Sequence, residues 1–217
     1  MKAIIFDMDG VLIDSMKYHV ESWIETFKKV GINVHSKEIY LNEGRSFVDT
    51  INILSKEKGI EMSKSDWKTI SEERKTYLTQ KFKLKPYKGI IKFIYFLKLK
   101  KFKVAMVTGT ERIIANKVSK EMFNELFDVV ISSDDVKHGK PNPEPYQKAI
   151  KKLKIKNDEA IVIENAPLGI KSAKDAGLFV IGLETTLHKK DLCEADIILK
   201  NHEVLFEYLK TKLNISE

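Results

Sequence analysis

The N-terminus carries a short apolar run, Ala3 to Phe6, straight into Asp7-Met8-Asp9-Gly10. Four apolar residues without polar alternation read as a buried strand. In an open α/β sheet, ligands and chemistry occupy the crevice beyond the carboxyl ends of the strands. Asp7 and Asp9 would stand at that crevice. Alternate residues of a strand share a side, and where the strand ends the backbone can bring both carboxylates to one small space. Two anions that close repel unless a cation joins them. Oxygen ligands of this kind suit magnesium.

The chain that follows divides in two. Met16 to Val30 reads as an amphipathic helix, with Met16, Val20, Trp23, Phe27 and Val30 on one stripe and Ile24 beside it. Gly31 stops it. Gly44-Arg45-Ser46 is a turn, and a helix carrying Phe47, Ile51 and Leu54 follows. A polar helical stretch from about Ser65 holds Trp67, Ile70, Tyr77, Leu78 and Phe82. No strand is expected between Met16 and Lys85. From Pro86 strands and helices alternate. Strands are expected at Val104 to Thr108, Val129 to Ser132, Ala160 to Glu164, Phe179 to Leu183 and Ile197 to Leu199. Helices are expected at Ile90 to Leu99, at Ile113 to Phe123, from Pro143 behind an Asn142 cap with Tyr146, Ile150 and Leu153 on the inner face, and at Leu168 to Ala176. Such alternation predicts a parallel sheet with helices on both faces. The fold class is therefore α/β, a Rossmann-like doubly wound parallel sheet. Its core comprises residues 1–15 and 86–217, and an all-helical insertion spans 16–85.

Composition narrows the partners. The chain has 217 residues and 43% hydrophobic content, enough for a core. No apolar run approaches the roughly 18 residues of a membrane helix, and Asp7 and Asp9 interrupt any signal-peptide core. A single cysteine, Cys193, fits a reducing compartment. A cytoplasmic monomer without a membrane partner is expected. The net charge is +7. The lysines are spread along the chain rather than clustered with aromatics, so no nucleic-acid partner is expected. The positive field would still recruit phosphate esters.

The strand ends gather the reactive side chains. They are Asp7 and Asp9; Thr108, Gly109 and Thr110; Lys140 in Gly139-Lys140-Pro141-Asn142-Pro143; and Glu164-Asn165. A carboxylate can attack phosphorus. A hydroxyl and backbone N–H groups can hold phosphate oxygens, and an ammonium can neutralise a transferring phosphoryl group. Arg112, four residues past Thr108, could add a phosphate contact.

Phe6-Asp7-Met8-Asp9-Gly10-Val11-Leu12-Ile13-Asp14-Ser15 resembles the first motif of the haloacid dehalogenase-like hydrolases, in their phosphatase and β-phosphoglucomutase branch. The segments around Thr108, Lys140 and Glu164-Asn165 resemble that family's other three motifs. The resemblance implies that Asp7 is a nucleophile forming an aspartyl-phosphate and that Asp9 is the general acid and base. It implies Mg2+ held by Asp7, the Asp9 carbonyl, Glu164 and Asn165. It makes the helical insertion a cap that closes over the site. His19 matches a histidine many sugar-phosphate members keep there, and Arg45, Arg74 and Lys75 are further candidates for touching substrate.

Asn165 departs from the commonest family pattern, which has an aspartate there. An amide oxygen can ligate magnesium but brings no charge, so weaker metal binding is expected. The implied function is a magnesium-dependent phosphomonoesterase acting on a small phosphorylated metabolite, a sugar phosphate or a phosphoglycolate-like ester. A β-phosphoglucomutase would share all four motifs. Phe47 stands where the mutases place a cap arginine, which favours the phosphatase. A non-catalytic or nucleic-acid-binding module is the remote alternative.

Overall fold

The computed structural model describes residues 1–81 and 84–215. Phe82, placed on the polar helix above, lies outside them. Among the described residues six strands form one all-parallel sheet. They are β1 (Ala3–Phe6), β2 (Lys103–Val107), β3 (Val129–Ile131), β4 (Ala160–Glu164), β5 (Phe179–Leu183) and β6 (Ile197–Leu199). The spatial order is β3-β2-β1-β4-β5-β6. β1 is thus central, with Phe6 beside Met106 of β2 on one side and Ile163 of β4 on the other. The order reverses at β1 and β4, where an α/β sheet opens its crevice.

The strands are apolar on both faces because both faces are covered. Ile4, Phe6, Val104, Met106, Ile161 and Ile163 pack on one side. There they meet α5 (Ile90–Leu99), α6 (Arg112–Phe123) and α9 (His202–Leu213). Ala3, Ile5, Ala105, Val107 and Val162 face α7 (Glu144–Leu153) and α8 (Pro167–Asp175) on the other. The sheet is doubly wound, as its alternating pattern predicted.

Between β1 and α5 lie four helices: α1 (Met16–Lys29), α2 (Ser36–Leu41), α3 (Phe47–Glu57) and α4 (Lys64–Lys81). They bury a separate apolar cluster of Val20, Trp23, Phe27, Ile51, Leu54 and Ile70. Among the described residues of this stretch none joins the main sheet. Phe47 stacks on Trp23 at 5.4 Å and meets the edge of Trp67 at 6.4 Å.

Two helices had no clear sequence signal. α2 is a short six-residue turn of helix, and α9 follows Asn201, whose side-chain oxygen accepts from the Val204 amide at 3.0 Å. α7 begins one residue later than expected. Pro143 takes the capping position while the Asn142 side chain still accepts from the Glu144 amide at 3.0 Å. Three lysines from α5 to β2 are engaged structurally. Lys98 pairs with Asp128, Lys100 lies over Phe96, and Lys103 donates to the Leu153 carbonyl. No helix among the described residues is long and apolar enough to cross a membrane.

Candidate active site

β1, β2 and β4 end side by side, so parallel pairing alone brings Asp7, Thr108 and Glu164-Asn165 together. Asp7 continues the ladder, its amide donating to the Ile163 carbonyl at 3.0 Å. Beyond it the chain folds into a tight loop, with the Leu12 amide donating to Met8 and that of Gly10 to Ile13. Gly10 sits at φ +82, and a Cβ there would lie 2.2 Å from Asn165 Nδ2. A glycine is needed for both the conformation and the close approach. Thr185 Oγ1 donates to the Gly10 carbonyl at 2.6 Å, and the ring nitrogen Nε2 of His202 donates to the Val11 carbonyl at 2.7 Å. The loop is thereby anchored from β5 and α9.

Lys140 is buried between two carboxylates. Its Nζ donates to Asp7 Oδ1 at 2.5 Å and to Glu164 Oε1 at 2.6 Å, and lies 5.3 Å from the centre of the Tyr146 ring. Burial opposes the ammonium's charge, but Asp7 and Glu164 outweigh it and hold the Lys140 pKa well above its ordinary value. Burial pushes the Asp7 pKa up. Lys140 opposes that rise, while Glu164 and Asp9 add to it. Glu164 is fully enclosed. Tyr146 donates to Oε1 at 2.7 Å, and the Asn165 and Ala166 amides donate to Oε2. Gly169 makes room for it, since a Cβ there would fall 1.8 Å from Oε1.

Asp9 is held by three side chains. Ser15 donates to Oδ1 at 2.5 Å, Thr110 donates to Oδ2 at 3.2 Å, and His19 Nε2 approaches Oδ1 at 3.3 Å. Burial alone would raise its pKa, but these three partners leave it lowered. Behind His19 stands Arg74, whose guanidinium meets Nδ1 at 3.0 Å and lies over Trp23 at 4.3 Å. Arginine can only donate, so Nδ1 accepts and the imidazole proton sits on Nε2, facing Asp9. Burial lowers the Arg74 pKa to about 10, with Asp9 and Glu111 opposing.

Sequence reasoning missed Glu43. It comes from the helical insertion, and the Asn165 amide donates to both its carboxylate oxygens at 3.2 Å. Burial, then the charges of Asp7 and Glu164, raise the Glu43 pKa well above its ordinary value. No local pattern marks this residue, because its partner lies 122 positions away. Ser15 and Tyr146 were in sight only as part of a motif and of a helix face.

The remaining expected residues divide. Thr108 is buried, and its hydroxyl accepts from the Thr110 amide at 3.0 Å. Gly109 lies against the Gly44 backbone of the insertion, and Gly44 also faces the Lys140 stem. Arg45 donates to Asn42 at 2.9 Å and lines, with Thr108, Gly109 and Lys140, a cleft of about 620 Å³. Arg112 does not join the cluster: its guanidinium pairs with Asp135 at 2.8 Å.

The donor chemistry fits magnesium. Four carboxyl groups, Asp7, Asp9, Glu43 and Glu164, are concentrated here beside the buried ammonium of Lys140. Asn165 must turn its NH2 to Glu43 and Thr186, which leaves Oδ1 buried without a hydrogen-bond partner. A buried amide oxygen without a partner, among carboxylates, is the kind of donor a hard cation takes. Among the described residues no three acidic, histidine or cysteine side chains surround one point at ligand spacing. Asp7 and Glu164 are instead turned onto Lys140.

The haloacid dehalogenase-like hydrolase family matches residues 4–183. The chain belongs to that family. It is similar to the validoxylamine A 7'-phosphate phosphatase of Streptomyces hygroscopicus subsp. limoneus, 30% identical over 204 residues, covering 92% of this chain and 93% of that protein. The phosphorylated carbohydrates phosphatase of Thermotoga maritima is 29% identical over 214 residues, covering 94% and 97%. Among solved structures, a Bacteroides vulgatus protein provisionally assigned as a β-phosphoglucomutase superposes with a TM-score of 0.89. It is 34% identical, covering 99% of this chain and 89% of that one.

Proposed function

We propose that the protein is a magnesium-dependent phosphomonoesterase of small phosphorylated metabolites, sugar phosphates or phosphoglycolate-like esters. The observation that carries this reading is the placement of Asp7, with Lys140 on one oxygen, beside Asp9 at the mouth of the same crevice. In the first half-reaction an Asp7 oxygen bonds to phosphorus while the bond from phosphorus to the leaving oxygen breaks. Asp9 delivers a proton to that oxygen. In the second, water attacks phosphorus, its proton passes to Asp9, and the bond to Asp7 breaks. Asp9 in its lowered-pKa state is suited to the second step; a phosphate dianion beside it raises its pKa for the first.

Thr108, Gly109 and Thr110 receive phosphoryl oxygens, and Lys140 balances charge on Asp7. Asp7, the Asp9 carbonyl, Glu164 and Asn165 would hold Mg2+, and the cation would favour the ionised form of Glu43 beside the amide. Held by these groups, the ion would supply positive charge to the phosphoryl oxygens. Residues 16–85 act as a cap over a core of 1–15 and 86–217, excluding water. Gly44 on Gly109 and Lys140, and Glu43 on Asn165, form the seam.

Likeness to the Bacteroides protein supports a second reading, a β-phosphoglucomutase. Phe47 speaks against it. It occupies the place of the mutases' cap arginine, and its ring is stacked in the insertion's aromatic cluster.

The test is phosphate release from a phosphomonoester panel, with magnesium and with chelator, beside a coupled assay on β-glucose 1-phosphate plus its bisphosphate. Magnesium-dependent release is expected. Conversion to glucose 6-phosphate without phosphate release would replace this reading with the mutase one.

A further inference from the structure

We propose that Arg74, with His19, forms a leaving-group subsite that selects substrates whose leaving group carries its own anionic oxygen, a second phosphate or a carboxylate. The inference rests on the phosphomonoesterase reading and adds the substrate class.

Arg74 stands on α4, a helix that is polar almost throughout. The insertion's other paired cations meet carboxylates near its surface, as Lys29 does with Glu73 and Lys58 with Glu38. Arg74 differs. Among the described residues no carboxylate is paired with it, and its Nε is sealed from solvent with no hydrogen-bond partner. Its plane rests on Trp23 and one NH2 reaches His19. A donor sealed from water with no partner is costly, and Asp9 and Glu111 act on this guanidinium only without a direct ion pair. Its fork of donors matches the paired oxygens of a phosphate or carboxylate.

Its location gives the oxygen pair a place in the reaction. Arg74 is one imidazole ring away from Asp9, because His19 touches both. Asp9 is the group that protonates the leaving oxygen, so Arg74 lies on the leaving-group side. Lys140, Glu164 and Asn165 lie together around Asp7, on the phosphoryl side. Asp9 and Glu111 are the carboxylates whose charge acts on Arg74. Other arginines near the cleft are engaged, Arg45 with Asn42 and Arg112 with Asp135. An alcohol leaving group would leave the Arg74 donors unmatched, whereas a charged one would complete them.

The test compares kcat/KM with Mg2+ on inorganic pyrophosphate, 2-phosphoglycolate and ethyl phosphate, for wild type, Arg74→Met and Arg74→Lys. Arg74→Met keeps the stem on Trp23 and removes the donors. Circular dichroism checks that each variant folds. Binding of imidodiphosphate and of inorganic phosphate is measured by calorimetry alongside. Wild type should favour a charged leaving group over ethyl phosphate by at least about tenfold. Arg74→Met should reduce that preference by roughly ten- to a hundredfold, the scale of one charge-assisted pair, and Arg74→Lys should recover part of it. The arm that loses most, pyrophosphate or phosphoglycolate, tells whether the group is phosphate or carboxylate. If wild type turns over ethyl phosphate as well as the charged substrates, or if Arg74→Met lowers all three equally, the subsite is wrong and the phosphatase reading stands. If no substrate turns over, the phosphatase reading fails. Selective loss of imidodiphosphate binding in Arg74→Met would then still support the subsite, and equal binding in both proteins would overturn it too.

Discussion

The side-chain amide of Asn165 donates to both carboxylate oxygens of Glu43, at 3.2 Å each. One residue is at the end of β4 and the other in the helical insertion. The pair bears on the expectation that a neutral Asn165 would leave the proposed magnesium site one charge short. Glu43 brings a carboxyl group from the other side of the cleft, and a bound cation would favour its ionised form. Were residue 165 an aspartate, two buried carboxylates would face each other.

Glu43→Gln should therefore weaken magnesium binding to the free protein by about tenfold, or about 1.4 kcal/mol. Asn165→Asp alone should gain little, because it repels Glu43. The double variant should bind more tightly than Glu43→Gln. Calorimetric titration of magnesium without substrate checks all three. Equal affinities in wild type and Glu43→Gln would show that Glu43 plays no part in holding the ion.

Asp7→Asn should abolish turnover with the fold intact. The amide is nearly isosteric but a far poorer nucleophile, and Lys140 keeps Glu164 as a partner. Rate measurements with circular dichroism decide it. Near-normal rates in Asp7→Asn would sink the covalent mechanism.

Gly169→Ala should displace Glu164, since its Cβ would lie 1.8 Å from Oε1. Glu164 is enclosed by Tyr146, Lys140 and two backbone amides and has nowhere to move. Overpacking of this kind costs about 1–3 kcal/mol. Thermal unfolding should show that loss, and magnesium binding should fall with it. A variant as stable as wild type would mean the helix can shift to make room.

His202 supplies a pH dependence. Burial lowers its pKa below the ordinary 6.5, with the hydrogen bond to Val11 opposing. The folded state therefore prefers the neutral ring, and the unfolded state binds the proton first as pH falls. Stability is present in full above about 6.5 and declines below it, toward the lower folded pKa. Denaturant unfolding at pH 7 and 5.5 should show a smaller loss in His202→Gln than in wild type. An equal loss in both would assign the acid sensitivity to other groups.

The candidate site was legible wherever its side chains coincide with local pattern. Asp7 and Asp9 follow a buried apolar run. Gly10 marks a left-handed turn, and the Lys140-Pro141-Asn142-Pro143 string marks a stiff helix start. The alternation from Pro86 onward gave the strand bounds to within a residue. α2 and α9 were less visible. α2 has only six residues, and nothing in the reading of β6 pointed to a helix beyond it.

What the chain's order of residues determined by itself is the parallel sheet and the set of side chains at its strand ends, because periodicity and parallel pairing are local or nearly local properties. Only the tertiary structure decided which side chains meet across the cleft. Glu43 against Asn165, Arg74 behind His19, and Arg112 turned aside to Asp135 each depend on how helices far apart in sequence come to rest. No spacing encodes such contacts; they follow from burying the insertion's apolar cluster and from pairing charges withdrawn from water.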